Sequence, residues 1–309
     1  MRNKIALYEI FTHRSSMPEG CCSVAQAKPL SVSELEETAV AIRRSIVSML
    51  EKAGSGHSAG PLGMADLLTA LYFNILKHDP QNPSWEGRDV FYLSNGHTAP
   101  VLYAAMAHSG YFPVEELATL RKYGSRLQGH PERSALPGLE STSGPLGSGL
   151  SQAAGYAHAL QHIDKDFTRF VYVMMGDGEL DEGNIWEAAM YAGKYKLRQL
   201  IGFVDRNYIQ IDGSTEDVMP LEDLRGKFES FGWHVLEIDG HNMQAIIDAV
   251  GTAKAVGSRP TVIIAHTVPG KGVGFMEYDH RWHGKAPDAA QAAEALAGLP
   301  RAAGKAQNA

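Results

Sequence analysis

A chain of 309 residues, 44% hydrophobic and 20% charged, carries enough apolar material for one large α/β domain or two smaller ones. Its net charge of −7 comes with no basic stripe, which argues against a nucleic-acid binder, and no apolar run of about 18 residues offers a membrane span. The only two cysteines, Cys21 and Cys22, are adjacent, which excludes a disulfide framework and a thiolate metal site and fits a cytoplasmic home.

Residues 1–29 hold one short apolar patch, broken by Glu9 and His13, and no signal-peptide core; they read as a loosely packed arm. Ser31 or Ser33 caps a first helix with Glu36 and Glu37 in its first turn, and Val40, Ile42, Ile46, Val47 and Leu50 form its buried stripe as far as Ala53-Gly54. Residues 55–63 (SGHSAGPLG) follow as a glycine-rich loop suited to close ligand approach, then a helix over 64–76. Residues 89–93 (DVFYL) predict a strand ending in Ser94-Asn95-Gly96-His97, with a helix through Met106 behind it. A short helix over 114–123 leads to Gln128-Gly129-His130-Pro131. The loop 141–149 (STSGPLGSG) then opens an alanine-rich helix over 150–162, an anion-friendly arrangement.

The central unit comes next. Residues 168–175 (TRFVYVMM) read as a buried parallel strand, a helix starts near Asn184, and residues 199–204 (QLIGFV) form a second buried strand ending at Asp205. Asp177 follows the first strand and Asn207 the second, thirty positions later (207 − 177). Parallel strands joined by a crossover helix point the same way, so neighbouring strands would present both residues to one crevice. A carboxylate from Asp177, an amide oxygen from Asn207 and a backbone carbonyl near Ile209 suit Mg²⁺, which takes few protein ligands and completes its shell with phosphate and water. Gly176 and Gly178 permit close approach of phosphate, and the helix near Asn184 would aim its amides at that anion. A plain strand-to-helix turn would also use GDG; the spacing to Asn207 favours the metal–diphosphate reading.

Beyond this unit the pattern predicts a helix over 221–231, a strand over 233–238, a helix from Asn242 to about Val256 and a last core strand over 260–266. Residues 267–274 (TVPGKGVG) and 281–284 (RWHG) are glycine-bearing loops, and the alanine-rich end holds one short helix and a frayed tail. The expected organisation is an arm (1–29), an α/β domain (30–286) and a tail (287–309). The expected fold is a doubly wound, mostly parallel sheet with helices on both faces. His57, His97, His130 and His283 each lie in a glycine-bearing loop, where neutral imidazole can move protons near pH 7. His241 is a weaker fifth candidate, while His158 and His162, on a helix, read as structural.

Taken in order, SGHSAGPLGMA, LSNGH, GHPE, SGPLGSGLS, GDGELDEG, VDRNYIQIDG, HTVPGKG and RWHG resemble the motifs of transketolases. Most similar is the amino-terminal, diphosphate-binding part, as it occurs in the split bacterial form. The resemblance implies the thiamine diphosphate-binding fold and its pyrophosphate domain. It implies that Asp177, Asn207 and the Ile209 carbonyl hold Mg²⁺ (Ca²⁺ or Mn²⁺ substituting), with Gly176, Gly178 and Glu179 against the diphosphate. Gly144, Pro145 and Leu146 would lie beside the aminopyrimidine, and His57, His97, His130 and His283 match the family's substrate and cofactor histidines. Glu182 matches an acidic residue linking the two active sites across the dimer, with Asp205 in the same region.

The sequence departs from the family at three places: Ser58 follows His57 where proline is usual, Gln128 precedes Gly129-His130, and Arg206 sits between Asp205 and Asn207. The implied reaction is two-carbon ketol transfer from a ketose to an aldose, with a ketose phosphate as the expected donor. The family's glutamate for the aminopyrimidine lies on a separate pyrimidine-binding domain, and no second sheet is visible here. A carboxy-terminal partner subunit, an α2β2 assembly, and sugar or sugar phosphate substrates are therefore expected. Rival readings are the α-subunit of a 2-oxo acid dehydrogenase, which shares GDG…N, and a non-catalytic subunit that keeps the fold.

Overall fold

A computed structural model of the chain describes residues 29–300; the Cys21-Cys22 pair, the rest of the arm before Pro29, and 301–309 lie outside the described residues. Helix α1 (Val32–Ala53) starts at Ser31, whose hydroxyl accepts from Glu34 N while the Glu34 carboxylate takes Ser31 N, a reciprocal cap. It stops at Gly54, which is left-handed (φ 66°). The stretch expected as one open loop over 55–63 is helical in its second half, α2 (Ala59–Gly63). Pro61 stands within the first turn, where no backbone donor is needed, and Ala59 and Leu62 are buried.

Helix α3 (Ala65–Ala70) runs into a π-helical turn over Leu71–Ile75. Strand β1 (Val90–Leu93) and α4 (Ala99–Ser109) follow. The short helix expected over 114–123 is a 3-10 segment confined to Val114–Thr119. Helix α5 (Ser148–His158) ends in a second π turn, Ala159–Asp164. Then come β2 (Val171–Gly176), α6 (Gly183–Lys194) and β3 (Leu200–Arg206). A two-residue hairpin, β4 (Ile209–Gln210) and β5 (Gly213–Ser214), and the single turn α7 (Thr215–Val218) precede α8 (Leu224–Ser230). The described chain closes with β6 (His234–Asp239), α9 (Met243–Ala255), β7 (Thr261–His266) and α10 (Ala289–Gly298).

The five long strands form one parallel sheet in the order β1-β2-β3-β7-β6. Alternation of side chains across the strands divides the core. Tyr172, Met174, Ile201 and Phe203 pack with α1, α3, α4 and α9, while Val173, Met175, Leu200 and Val204 pack with α5, α6 and α8. This is the doubly wound sheet with helices on both faces. The alanine-rich end is tied to the start: Arg44 Nη1 on α1 donates to the Leu296 carbonyl at 2.8 Å, and Ala292 and Ala295 of α10 are buried. Among the described residues no helix is long and apolar enough to cross a membrane.

Candidate functional site

Strands β2 and β3 are direct neighbours, with Gly176 opposite Asp205, so both chains leave the sheet on one edge. The Asp177 amide still donates to the Asp205 carbonyl at 3.2 Å, and the Asp177 carboxylate turns inward. Its Oδ1 accepts from Gly178 N at 2.8 Å; its Oδ2 accepts from Tyr208 N at 2.7 Å and from Arg206 Nη1 at 3.2 Å. Asn207 donates through Nδ2 to Asp205 Oδ2 at 2.7 Å, and its Oδ1 accepts from Ile209 N at 3.0 Å. Tyr208, between Asn207 and Ile209, holds a left-handed backbone (φ 66°), a costly conformation for a bulky residue. With it, Asp177, Asn207 and Ile209 all reach one cleft.

Both acids are strained electrostatically. Burial raises Asp177 to about 6, against the pull of Tyr208 N and Arg206. Burial, reinforced by the charge of Asp177, raises Asp205 to about 7. Two buried carboxylates on adjacent strand ends make a place where a divalent cation would be stabilising. Among the described residues no group of three His, Cys, Asp or Glu side chains is arranged to hold a metal. The available set is the Asp177 carboxylate, the Asn207 amide oxygen and the Ile209 carbonyl, oxygen donors that leave positions for phosphate and water. The residues fit a phosphorylated ligand as well. Gln210 Nε2 and His57 Nδ1, buried polar atoms without a partner among the described residues, can donate to phosphate, whereas Asn95 Oδ1, likewise without a partner, needs a ligand N–H or O–H; all three residues line the cleft.

Glu179 lines the same cleft and is also tied into the framework. Its buried carboxylate accepts from the Ser94 hydroxyl, from Gly147 N at 2.6 Å and from Gly176 N at 3.0 Å. These bonds tie together the ends of β1 and β2 and the loop before α5. That loop is packed to contact. A side chain at Gly147 (φ 81°) would strike Asn184 Oδ1 at 2.0 Å, and one at Gly96 would meet the Ser143 Cβ at 2.4 Å. Of Gly144, Pro145 and Leu146, Leu146 lines the cleft and Pro145 is exposed. Glu182 is exposed and stands at the N-terminal end of α6, where its side chain makes no capping bond, outside the cleft. A 3-10 turn over Gly178–Asp181 separates the GDG bend from α6, and no residue of α6 lines the cleft.

His57, His97 and His283 line the same cleft and pack together, with ring centroids 4.8, 5.2 and 5.5 Å apart. The Ser58 hydroxyl donates to the Lys285 carbonyl at 2.5 Å, joining the His57 loop to the His283 loop. His130 stands in an adjoining open cleft with Arg121, Gln128 and Ser143. Burial, with the charges of His283, Arg121 and His130, lowers His57 to about 4. Burial and the neighbouring histidines lower His97 to about 3, and burial lowers His283 and His130. These histidines are therefore uncharged at pH 7.

In the unfolded chain His97 takes a proton near 6.5, whereas in the folded chain it resists down to about 3. Acidification through this window thus favours the unfolded state. We expect the unfolding free energy of the wild type, relative to His97→Gln, to fall by up to about 1.4 kcal/mol per pH unit below 6.5. Urea melts of both proteins between pH 7 and 4.5 measure this, and parallel pH profiles would remove the claim.

His241 belongs to the framework: its Nδ1 pairs with Asp66 Oδ2 at 2.7 Å, its Nε2 accepts from Val268 N at 2.8 Å, and Asp66 is held in turn by Arg43. Asn95 and Gln210 were not legible as site residues. Each lies one or two positions from a recognised motif residue, and that adjacency was the available signal.

The family model for the transketolase thiamine diphosphate-binding domain matches residues 35–300. The chain is 46% identical over 244 residues to the 6-deoxy-6-sulfo-D-fructose transketolase subunit SqwG of Clostridium sp. (strain MSTE9), covering 79% of this chain and 88% of that protein. It is 41% identical over 267 residues to an apulose-4-phosphate transketolase subunit of Phocaeicola vulgatus, covering 86% and 94%. Transketolase from Leishmania mexicana superposes with a TM-score of 0.82 at 34% identity, over 88% of this chain and 42% of that one, so the chain spans about two fifths of the solved enzyme. These matches and the cleft agree: the chain belongs to the transketolase family, and residues 35–300 are its thiamine diphosphate-binding domain.

Proposed function

We propose that this chain is the diphosphate- and metal-holding subunit of a two-subunit transketolase, which moves a two-carbon ketol unit from a ketose to an aldose. The observation that carries the reading is the cleft itself. Asp177, Asn207 and Ile209 and the uncharged His57, His97 and His283 line one cleft at the sheet's carboxyl edge. Asp177, Asn207 and the Ile209 carbonyl would hold Mg²⁺, with Ca²⁺ or Mn²⁺ able to substitute. Gly176, Gly178 and Gln210 would face the diphosphate, and the 144–146 loop the aminopyrimidine. Bound thiamine diphosphate supplies the nucleophilic carbon and the electron sink.

The chain's own residues do the rest. Neutral His57, His97 and His283 donate and accept hydrogen bonds at sugar hydroxyls and carbonyls without placing a fixed charge there. His130, at the neighbouring opening, would meet the substrate farther along. The two relatives named above are called subunits, and this chain covers nearly the full length of each. That supports a partner carrying the pyrimidine-binding domain and its glutamate, in an α2β2 assembly. Their names concern ketoses with an anionic tail, a sulfonate and a phosphate, so such ketoses are the donors to try first.

The test is an assay of the chain co-purified with a pyrimidine-domain partner, thiamine diphosphate and Mg²⁺. Ketol transfer from a ketose, seen only when both subunits are present, is the expected result. Transfer by this chain alone, or oxidation of pyruvate in place of ketol transfer, would overturn the reading.

A further inference from the structure

Arg206 ends β3 between Asp205 and Asn207 and is fully buried. Its Nη1 donates to Asp177 Oδ2 at 3.2 Å and to Thr215 Oγ1 at 2.7 Å. Its Nη2 donates to Glu216 Oε1 at 2.6 Å and to Glu222 Oε1 at 2.9 Å. The guanidinium also lies 4.1 Å from the centre of the Tyr208 ring. One planar fork thus joins Asp177 to both ends of the 208–222 segment. Within that segment, Ile209, Gln210 and Ile211 line the cleft.

We propose that Arg206 is a positioning residue: its fork fixes the 208–222 segment against Asp177, and so sets the place of the Ile209 carbonyl and the Gln210 amide. The inference rests on the reading of the cleft given under Proposed function. A cation beside a metal ligand would ordinarily oppose metal binding. Here Glu216 and Glu222, which are partly exposed, pair with the guanidinium and offset its charge. What remains is directional: two nitrogens in one plane, reaching four acceptors at once. Lysine carries the same charge on a single rotating ammonium and cannot make that set of bonds. The proposal therefore predicts that geometry matters here and charge alone does not.

The test uses Arg206→Lys and Arg206→Met in the full chain with its partner. Calorimetric titration with thiamine diphosphate and Mg²⁺ reads affinity; hydrogen exchange of residues 208–222 without cofactor reads the segment's order. Affinity should fall about 10- to 100-fold in Arg206→Met, and Arg206→Lys should fail to restore it. Exchange in 208–222 should quicken in both, while exchange in β2 and α5 stays as in the wild type. If Arg206→Lys binds with wild-type affinity, or its 208–222 exchange is unchanged, the positioning role is gone. A wild-type pair that binds no cofactor would defeat the functional reading instead; the exchange measurement would still decide whether Arg206 orders the segment. If Arg206→Met does not fold, the lysine variant, which keeps charge and bulk, carries both measurements.

Discussion

Replacing Asp177 by alanine is expected to remove metal-dependent binding of thiamine diphosphate, a loss of at least about 10³-fold, or roughly 4 kcal/mol. Asp177 is the carboxylate among the three oxygen donors proposed for the cation, and the remaining two are neutral. The diphosphate's own charge would then face a pocket still holding Asp205, with no bridging ion between them. The effect on folding should be smaller because two contributions oppose each other: alanine strands Gly178 N and Tyr208 N and removes one partner of Arg206, but it also removes a buried charge. Burial holds the Asp177 acid at about 6, so its ionised form opposes folding at neutral pH. Alanine relieves that cost, while Thr215, Glu216 and Glu222 continue to pair with Arg206. The substitution should also let Asp205 titrate lower, since the charge of Asp177 is one of the causes of its rise. Calorimetry with cofactor and Mg²⁺, alongside a thermal melt, separates the two effects. An unchanged cofactor affinity would take Asp177 out of the metal shell.

Glu179→Ala is expected to act through the framework, with the opposite balance of effects. The Glu179 carboxylate is the acceptor for the Ser94 hydroxyl, Gly147 N and Gly176 N, and it is only 3% exposed. Removing it strands three buried donors around a cavity. A cost of about 3–5 kcal/mol follows, since each unsatisfied buried donor costs roughly 1–3 kcal/mol and part of the strain can relax. The loop before α5 should loosen, and Leu146 with it, so cofactor binding weakens as a consequence of disorder. Glu179→Gln is the discriminating control. It preserves shape and one oxygen but turns an amide donor towards another N–H, and it should cost less than alanine. Equal and negligible loss in both variants, measured by denaturant unfolding, would show that the carboxylate is not the tie between these loops.

The order of strands and helices was legible because each buried strand is a short apolar run and several helices, α1, α9 and α10 among them, carry a side-chain cap. Ser31, Asn242 and Gly54 all sit where the pattern placed a boundary. Asp177 and Asn207 were legible as partners for the same reason: thirty residues is one strand–helix–strand unit, and such a unit returns to the same edge. What could not be read was direction. Glu179 sits beside the GDG bend in sequence, and that spacing gives no sign that its carboxylate also reaches Ser94 and Gly147. His130 looks equivalent to the other histidines in its motif but stands in the neighbouring opening. Residues 59–63 contain two glycines and a proline and read as a breaker, but burial of Ala59 and Leu62 overrides that local preference. Arg206 was visible only as an unusual residue, because its four acceptors come from positions 177, 215, 216 and 222.

The seam between α1 and α10 has a kinetic corollary. Arg44 meets the Leu296 carbonyl across 252 residues of chain, and Val90 pairs with Val171 over a further long excursion. Loop closure on that scale is entropically slow, so refolding should be unhurried and governed by distant pairings. During synthesis α1 must wait for the 252 residues that separate Arg44 from Leu296 before this contact can form, which leaves its apolar stripe in need of temporary cover.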